Sequence, residues 1–211
     1  MNAQEYVVLV PVKPPAVGKS RLVGLPDETR RELASAFALD TVSACLSTPH
    51  VAAVMAVTDD ALFARRLADA GCAVLPDGRG GDLNASLCLA AAEALRRWPD
   101  LLPVALCADL PALTSTDLAA ALSQLSGAGP WFVADAAGSG TTMYAAPLAG
   151  FDPRFGPGSH QAHLDAGATE IGGTLATLRQ DVDDRDDLAR AQALGVGVHT
   201  SSALADRPEM Q

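Results

Sequence analysis

Three stretches of the chain bring together residue types that handle phosphate. The first runs Val10-Pro11-Val12-Lys13-Pro14-Pro15-Ala16-Val17-Gly18-Lys19-Ser20-Arg21-Leu22 and gathers Lys13, Lys19 and Arg21 just after an apolar run. Its Gly-Lys-Ser ending invites comparison with a P-loop, whose successive backbone amides cradle phosphates. The comparison fails at the opening glycine, which would fall on Lys13, and at Pro14 and Pro15, which have no N–H to offer. What remains is a cation cluster at the carboxyl end of a first strand, where open α/β sheets bind ligands. In a chain of formal net charge -10, a polyphosphate accounts for such a cluster; a solvated basic loop is the plainer alternative.

The second stretch, Pro103 to Leu113, is an apolar run that ends in Asp109 and turns at Pro111. A carboxylate at a strand tip suits Mg2+ on a nucleotide, because that cation takes one or two carboxylates and fills its shell with phosphate oxygens and water. A partner is offered by Arg179-Gln180-Asp181-Val182-Asp183, which reads as a strand with Asp181 and Asp183 on one face. Asp183, Asp184, Asp186 and Asp187 have a second use as the opening of the last helix, where acids suit the helix dipole. Both uses can hold for different acids of the run.

The third stretch is Gly138-Ser139-Gly140-Thr141-Thr142 with the later Arg154-Phe155-Gly156-Pro157-Gly158-Ser159-His160. Glycines let a ligand approach the backbone, and hydroxyls and amides donate to carboxylate or phosphate oxygens. A hairpin turn followed by an ordinary loop is the alternative. His160 and His163 are spaced for one helical face, but zinc needs further ligands and no partner pair is evident, which leaves a substrate contact or packing. Gly78 to Asn84 reads as a glycine loop closing over a base, with Asp82 or Asn84 on its polar edge, or as a helix cap at Asp82.

These residues need a scaffold, and the hydrophobic pattern specifies one. Tyr6–Val12, Val51–Val57, Ala73–Leu75 and Pro103–Cys107 are short continuous apolar runs, as strands covered on both faces require. Between them Glu28–Leu46, Ala61–Ala70, Leu83–Trp98 and Thr116–Leu125 have helical spacing. The alternation predicts a three-layer αβα domain with a mainly parallel sheet. Strands at Trp131–Ala134 and Thr142–Ala146, a short helix near His160–Ala166 and a last helix at Asp187–Leu194 follow. No repeat or linker divides the chain, so one domain is expected over residues 1–199, with 200–211 as a flexible tail.

Composition narrows the class of partner. With 49% hydrophobic residues the chain can fill a sizeable core, and its acidity argues against nucleic acid or anionic membrane partners. The N-terminus lacks the basic region of a signal peptide, and the expected location is cytoplasmic. Cys45, Cys72, Cys88 and Cys107 are widely separated in apolar segments and read as small buried hydrophobes.

Taken in order, Val-Pro-Val-Lys13, Gly-Lys19-Ser20-Arg21-Leu, Asp-Leu-Asn84, Ala-Asp109-Leu-Pro-Ala-Leu, Gly-Thr141-Thr and Arg-Phe-Gly156-Pro-Gly-Ser159 make a specific pattern. By it, nearly the whole chain resembles the 2-phospho-L-lactate/phosphoenolpyruvate guanylyltransferase family of coenzyme F420 biosynthesis. The resemblance implies a nucleotide-diphospho-sugar transferase (GT-A-like) fold and transfer of GMP from GTP to a phospho-acid, with Mg2+. It implies Asp109 and Asp181 as metal ligands, and Thr141, Gly156 and Ser159 as contacts to the phospho-acid. Lys13, Lys19, Ser20, Arg21 and Asn84 would bind the nucleotide, with Lys13, Lys19 and Asp109 the catalytic residues. The details look like the actinobacterial branch, which implies phosphoenolpyruvate as acceptor; 2-phospho-L-lactate and 3-phosphoglycerate stay open. So do a sugar phosphate or molybdopterin acceptor, a non-catalytic GTP-binding module, a homodimer, and hand-over of product to the next enzyme of the pathway. Where many relatives have Ala before the Lys-Ser/Thr-Arg-Leu run, this chain has Gly18, and it adds Pro14.

Overall fold

The computed structural model describes residues 4–12 and 26–205. Within them a seven-stranded sheet has the order β3-β2-β1-β4-β6-β5-β7. The strands are β1 (Tyr6–Pro11), β2 (Val51–Val57), β3 (Ala73–Leu75), β4 (Leu102–Leu106), β5 (Trp131–Ala134), β6 (Thr141–Ala145) and β7 (Thr169–Glu170). β1 pairs in parallel with β2 and β4, and β2 with β3. β6 runs antiparallel to both β4 and β5, and β7 is parallel to β5.

Continuous apolarity in the strands is explained by a core on each face. One face carries Val8, Val10, Val54, Ala56, Val104, Leu106, Met143 and Ala145, packed under α1 (Asp27–Leu46), α2 (Ala61–Asp69) and α4 (Ser115–Leu122). The other carries Val7, Leu9, Met55, Val57, Ala105, Phe132 and Tyr144, covered by Leu87, Ala90, Ala91 and Ala94 of α3 (Leu83–Arg97). Successive strand residues alternate between these sets, the period of two that a pleated strand imposes. The expected α/β architecture, mainly parallel with helices on both sides, is present.

Local signals set the helix ends. Asp60, Asp82 and Thr114 cap α2, α3 and α4, each accepting backbone N–H groups at the first turn. Asp82 therefore serves as the cap that was one of its two expected uses. α5 (Ser159–Asp165), α6 (Ala176–Arg179), α7 (Arg185–Leu194) and α8 (Val198–Ala205) complete the described chain.

Two sequence expectations need correction. Residues 179–183 do not form a strand: α6 ends at Arg179, and the following segment crosses the tip of β4, where the Val182 N–H donates to the Asp109 carbonyl at 3.0 Å. An alternating pattern of acids mimics a strand, but here Gln180 and Val182 turn inward without pairing to a neighbouring strand, and Asp184 and Asp187 form a capping box that starts α7.

The second correction concerns the tail. Residues 200–205 belong to α8, with Thr200 and Leu204 buried against α1 and α7 in a third cluster around Leu33, Phe37 and Leu188. Burying a leucine such as Leu204 contributes about 2 kcal/mol, and the carboxylate of the buried Asp40 on α1 accepts from the backbone N–H of His199 at 3.0 Å and of Thr200 at 2.8 Å. A Cβ on Gly197 would run into that carboxylate, so the approach requires glycine. Residues 206–211 lie outside the described residues. Among the described residues no helix is long and apolar enough to cross a membrane.

Candidate active site

The strand order turns back at β1, where β2 and β3 lie on one side and β4 on the other. Such a switch point opens a crevice at the carboxyl ends of the strands, where α/β proteins bind ligands. Because β6 is antiparallel, its first residue, Thr141, lies at the same edge as the last residues of β4. The Cys107 N–H donates to the Thr142 carbonyl at 2.9 Å, so the turn carrying Asp109 and the start of β6 adjoin.

Asp109 is held from three directions. The Thr41 hydroxyl, on α1, lies 3.2 Å from the Ala108 carbonyl and accepts the Leu110 N–H at 3.2 Å, gripping the residues on both sides of Asp109. Val182 bonds to the Asp109 carbonyl from the 180–183 segment, which brings Asp181 and Asp183 to the same tip. The Gly197 N–H donates to the Pro111 carbonyl at 2.8 Å, so α8 braces the turn from behind. Thr41 carried no signal in the sequence, since a threonine inside a helix reads as an ordinary surface or core position.

Among the described residues no group of three or more His, Cys, Asp or Glu is arranged to hold a metal ion. The two-carboxylate set Asp109 and Asp181 fits a cation that takes its remaining ligands from phosphate and water, which is the habit of Mg2+ with nucleotides. Lys13, Lys19, Ser20 and Arg21 lie outside the described residues; β1 leads to them through Pro11 and Val12 at the crevice edge.

On the far side of Asp109 the loops meet as one unit. Asp135 and Gly140 close the β5–β6 turn: the Ser139 N–H donates to Asp135 Oδ1 at 2.9 Å, and a Cβ on Gly140 would clash with the same carboxylate. The His160 N–H then donates to the Ser139 carbonyl at 3.3 Å, tying this turn to α5. Gly156 and Gly158 sit at φ 137° and 72°, left-handed values that favour glycine.

Asn84, at the start of α3, bonds to the 154–158 loop. Its Nδ2 donates to the Phe155 carbonyl at 3.0 Å while its Oδ1 accepts the Phe155 N–H at 2.9 Å. The side-chain amide is thus paired with the backbone of the 154–158 loop, and Asn84 acts as a strut between that loop and α3.

The two histidines also acquire partners. His160 Nε2 lies 3.1 Å from Glu170. His163 is fully buried, with Nδ1 3.0 Å from Thr141 Oγ1 and Nε2 accepting the Arg154 N–H at 3.0 Å. Burial pulls its pKa down to about 4, the Ser159 carbonyl opposing that shift and the Arg154 charge reinforcing it, so the ring is neutral near pH 7. Among the described residues, neither histidine belongs to a group of ligands that could hold zinc.

A cleft opens at the tips of β1 and β2, lined by Pro11, Val12, Val57 and Leu83 with Asp77 and Ser86 as its polar members. The Ser86 hydroxyl donates to Asp77, and the Asp77 N–H donates to Asp59 at 2.9 Å, which fixes the carboxylate at the mouth. Cys45 and Cys72 are buried as expected, burial pushing the Cys72 thiol up to about 11, whereas Cys88 is exposed.

The model of the guanylyl transferase CofC-like family matches residues 6–204. The chain belongs to the CofC-like guanylyl transferase family. A phosphoenolpyruvate guanylyltransferase from Streptomyces scabiei is 45% identical over 208 residues, covering 95% of this chain and 96% of the relative. Another from Salinispora arenicola is 45% identical over 203 residues, covering 94% and 92%. In structure, a Desulfovibrio desulfuricans protein of the nucleotide-diphospho-sugar transferase class superposes with a TM-score of 0.73 at 17% identity, covering 99% of this chain and 97% of that one. As a CofC-like guanylyl transferase, the chain is a nucleotidyltransferase with the nucleotide-diphospho-sugar transferase fold.

Proposed function

We propose that this chain transfers GMP from GTP to phosphoenolpyruvate, releasing pyrophosphate and forming enolpyruvoyl-2-diphospho-5'-guanosine, a step of coenzyme F420 biosynthesis in the cytoplasm. The observation that carries the reading is the meeting at one sheet edge of Asp109, the 181–183 acids and Thr141, through the Val182–Asp109 and Cys107–Thr142 backbone bonds. The name of the curated relatives favours phosphoenolpyruvate over 2-phospho-L-lactate.

In this reading a phosphate oxygen of the acid attacks the α-phosphorus in line. A new P–O bond forms as the bond between the α-phosphorus and the bridging oxygen breaks, and that oxygen leaves with pyrophosphate. The attacking oxygen is already ionised, so no protein nucleophile is required. Asp109 and Asp181 would hold a divalent cation, Mg2+, which would supply neutralisation of the triphosphate charge. Lys13, Lys19, Ser20 and Arg21 bind the phosphates and Lys13 and Lys19 offset charge on the departing pyrophosphate. Thr141, Gly156 and Ser159 orient the acid, so that alignment supplies much of the rate.

Replacing Asp109 by Asn keeps the shape of the turn and removes a charge. Asp109→Asn is expected to lower kcat for pyrophosphate release at least a hundredfold, with a thermal midpoint within a few degrees of wild type. A variant with near-normal turnover at saturating Mg2+ would remove Asp109 from the metal site.

A further inference from the structure

His163 connects the three residues assigned above to the phospho-acid. Ser159 lies one turn before it on α5, so both sit on the same helical face, and both are buried. Its Nε2 accepts the N–H of Arg154, the first residue of the loop that carries Gly156. Its Nδ1 meets the hydroxyl of Thr141 on β6. The ring is stacked on Tyr144 and Phe132, at centroid distances of 4.9 and 5.4 Å, and meets the Phe155 ring edge-on at 5.8 Å.

The two nitrogens are not equivalent, and the backbone decides between them. An N–H can donate only to an unprotonated nitrogen, so the Arg154 bond makes Nε2 the acceptor and places the single proton of the neutral ring on Nδ1. Nδ1 therefore donates, and Thr141 Oγ1 receives. A hydroxyl that accepts from the imidazole keeps its own hydrogen, which among the described residues is given to no other acceptor. A carboxylate or phosphate oxygen can take it.

We infer that His163 is the positioning residue of the acceptor site: it turns the Thr141 hydroxyl into a fixed donor toward the phospho-acid and locks the 154–158 loop against the same ring. The inference rests on the proposed placement of the phospho-acid at Thr141, Gly156 and Ser159. His163 itself does not touch the substrate. With a protonated Nε2 the Arg154 bond would be lost, and with the other tautomer Thr141 would have to donate to the ring and present lone pairs to an anion. Burial of the ring disfavours the cation, and the Arg154 N–H disfavours the other neutral tautomer.

The test is steady-state pyrophosphate release with the Mg2+-loaded full-length enzyme, varying GTP and phosphoenolpyruvate separately. His163→Asn keeps a donor near Nδ1 but cannot reach Arg154, His163→Leu loses both bonds, and Thr141→Val removes the hydroxyl while leaving the helix untouched. The expected result for His163→Leu is a KM for phosphoenolpyruvate raised at least tenfold with the KM for GTP within twofold. His163→Asn should recover part of that loss, Thr141→Val should reproduce it, and the double variant Thr141→Val/His163→Leu should be little worse than either alone. If His163→Leu does not fold, the Thr141→Val and His163→Asn arms still decide. Equal changes in both KM values, an unchanged phosphoenolpyruvate KM in Thr141→Val, or additive losses in the double variant would overturn the inference. Wild-type enzyme that releases no pyrophosphate with any phospho-acid would instead sink the acceptor-site reading, and the inference with it.

Discussion

At the scale of single residues, the chemistry-bearing side chains are held by neighbours that do no chemistry themselves. Thr41 grips the backbone on either side of Asp109, Asn84 pairs with Phe155, and His163 bonds to Thr141 and Arg154. The buried imidazole also makes stability depend on pH in a definite direction. Unfolded, His163 takes a proton near 6.5; folded, not until about 4, because burial disfavours the cation. Between those values the unfolded chain binds more protons, so this contribution is complete above 6.5 and is lost progressively as pH falls toward 4. The full loss is on the order of 3 kcal/mol. The groups facing the ring are Arg154, Asp152 and His160, of which Arg154 reinforces the shift and Asp152 opposes it. Urea unfolding of wild type and His163→Asn at pH 7.5, 6 and 5 should show the gap between them narrowing as pH falls; parallel pH curves would mean that His163 is not the titrating group.

At the scale of elements, the sequence was most readable where a segment is buried on both faces or amphipathic. The apolar runs of β1 to β4 and the helical spacing of α1 to α4 are consequences of their burial, and their ends agree to within a few residues. Legibility failed where long-range contacts decide. The acids at 181 and 183 alternate as a strand would, yet the segment is shaped by a capping box and by one bond to Asp109. α8 has no amphipathic stripe to announce it; it forms because Asp40, 159 positions from His199 in the chain, caps it from another helix. Asp109, Thr141, Gly156 and Ser159 could be picked out as a set only through resemblance, since nothing local to β6 or α5 says that His163 joins them. The capping account predicts that Asp40→Ala, which leaves the half-buried His199 N–H and the buried Thr200 N–H without their acceptor, costs about 1–3 kcal/mol in urea unfolding. Amide exchange in α8 should quicken first; a loss below about 0.5 kcal/mol with α8 still protected would show that packing of Leu204 alone secures the helix.

At the scale of the whole molecule, a chain of net charge -10 is expected to handle two anionic substrates, so any attraction must come from groups concentrated at one place. The sheet provides that place. Parallel strands β1 to β4 deliver their carboxyl ends to one edge, the antiparallel β6 returns Thr141 to it, and α1 and α8 brace the Asp109 turn from behind. In the proposed reading the nucleotide lies at the tips of β1 and β2 and the acceptor at β6 and α5, with the carboxylates between them. Transfer between two phosphorylated ligands follows from that layout if each binds on its own side. The decisive measurement is pyrophosphate release in Mg2+ from each of GTP, ATP, CTP and UTP against phosphoenolpyruvate, 2-phospho-L-lactate, 3-phosphoglycerate and a sugar 1-phosphate. The account predicts release with GTP and phosphoenolpyruvate, at a kcat/KM at least tenfold above every other pairing. Release confined to a sugar phosphate, or equal release from all four nucleotides, would contradict it.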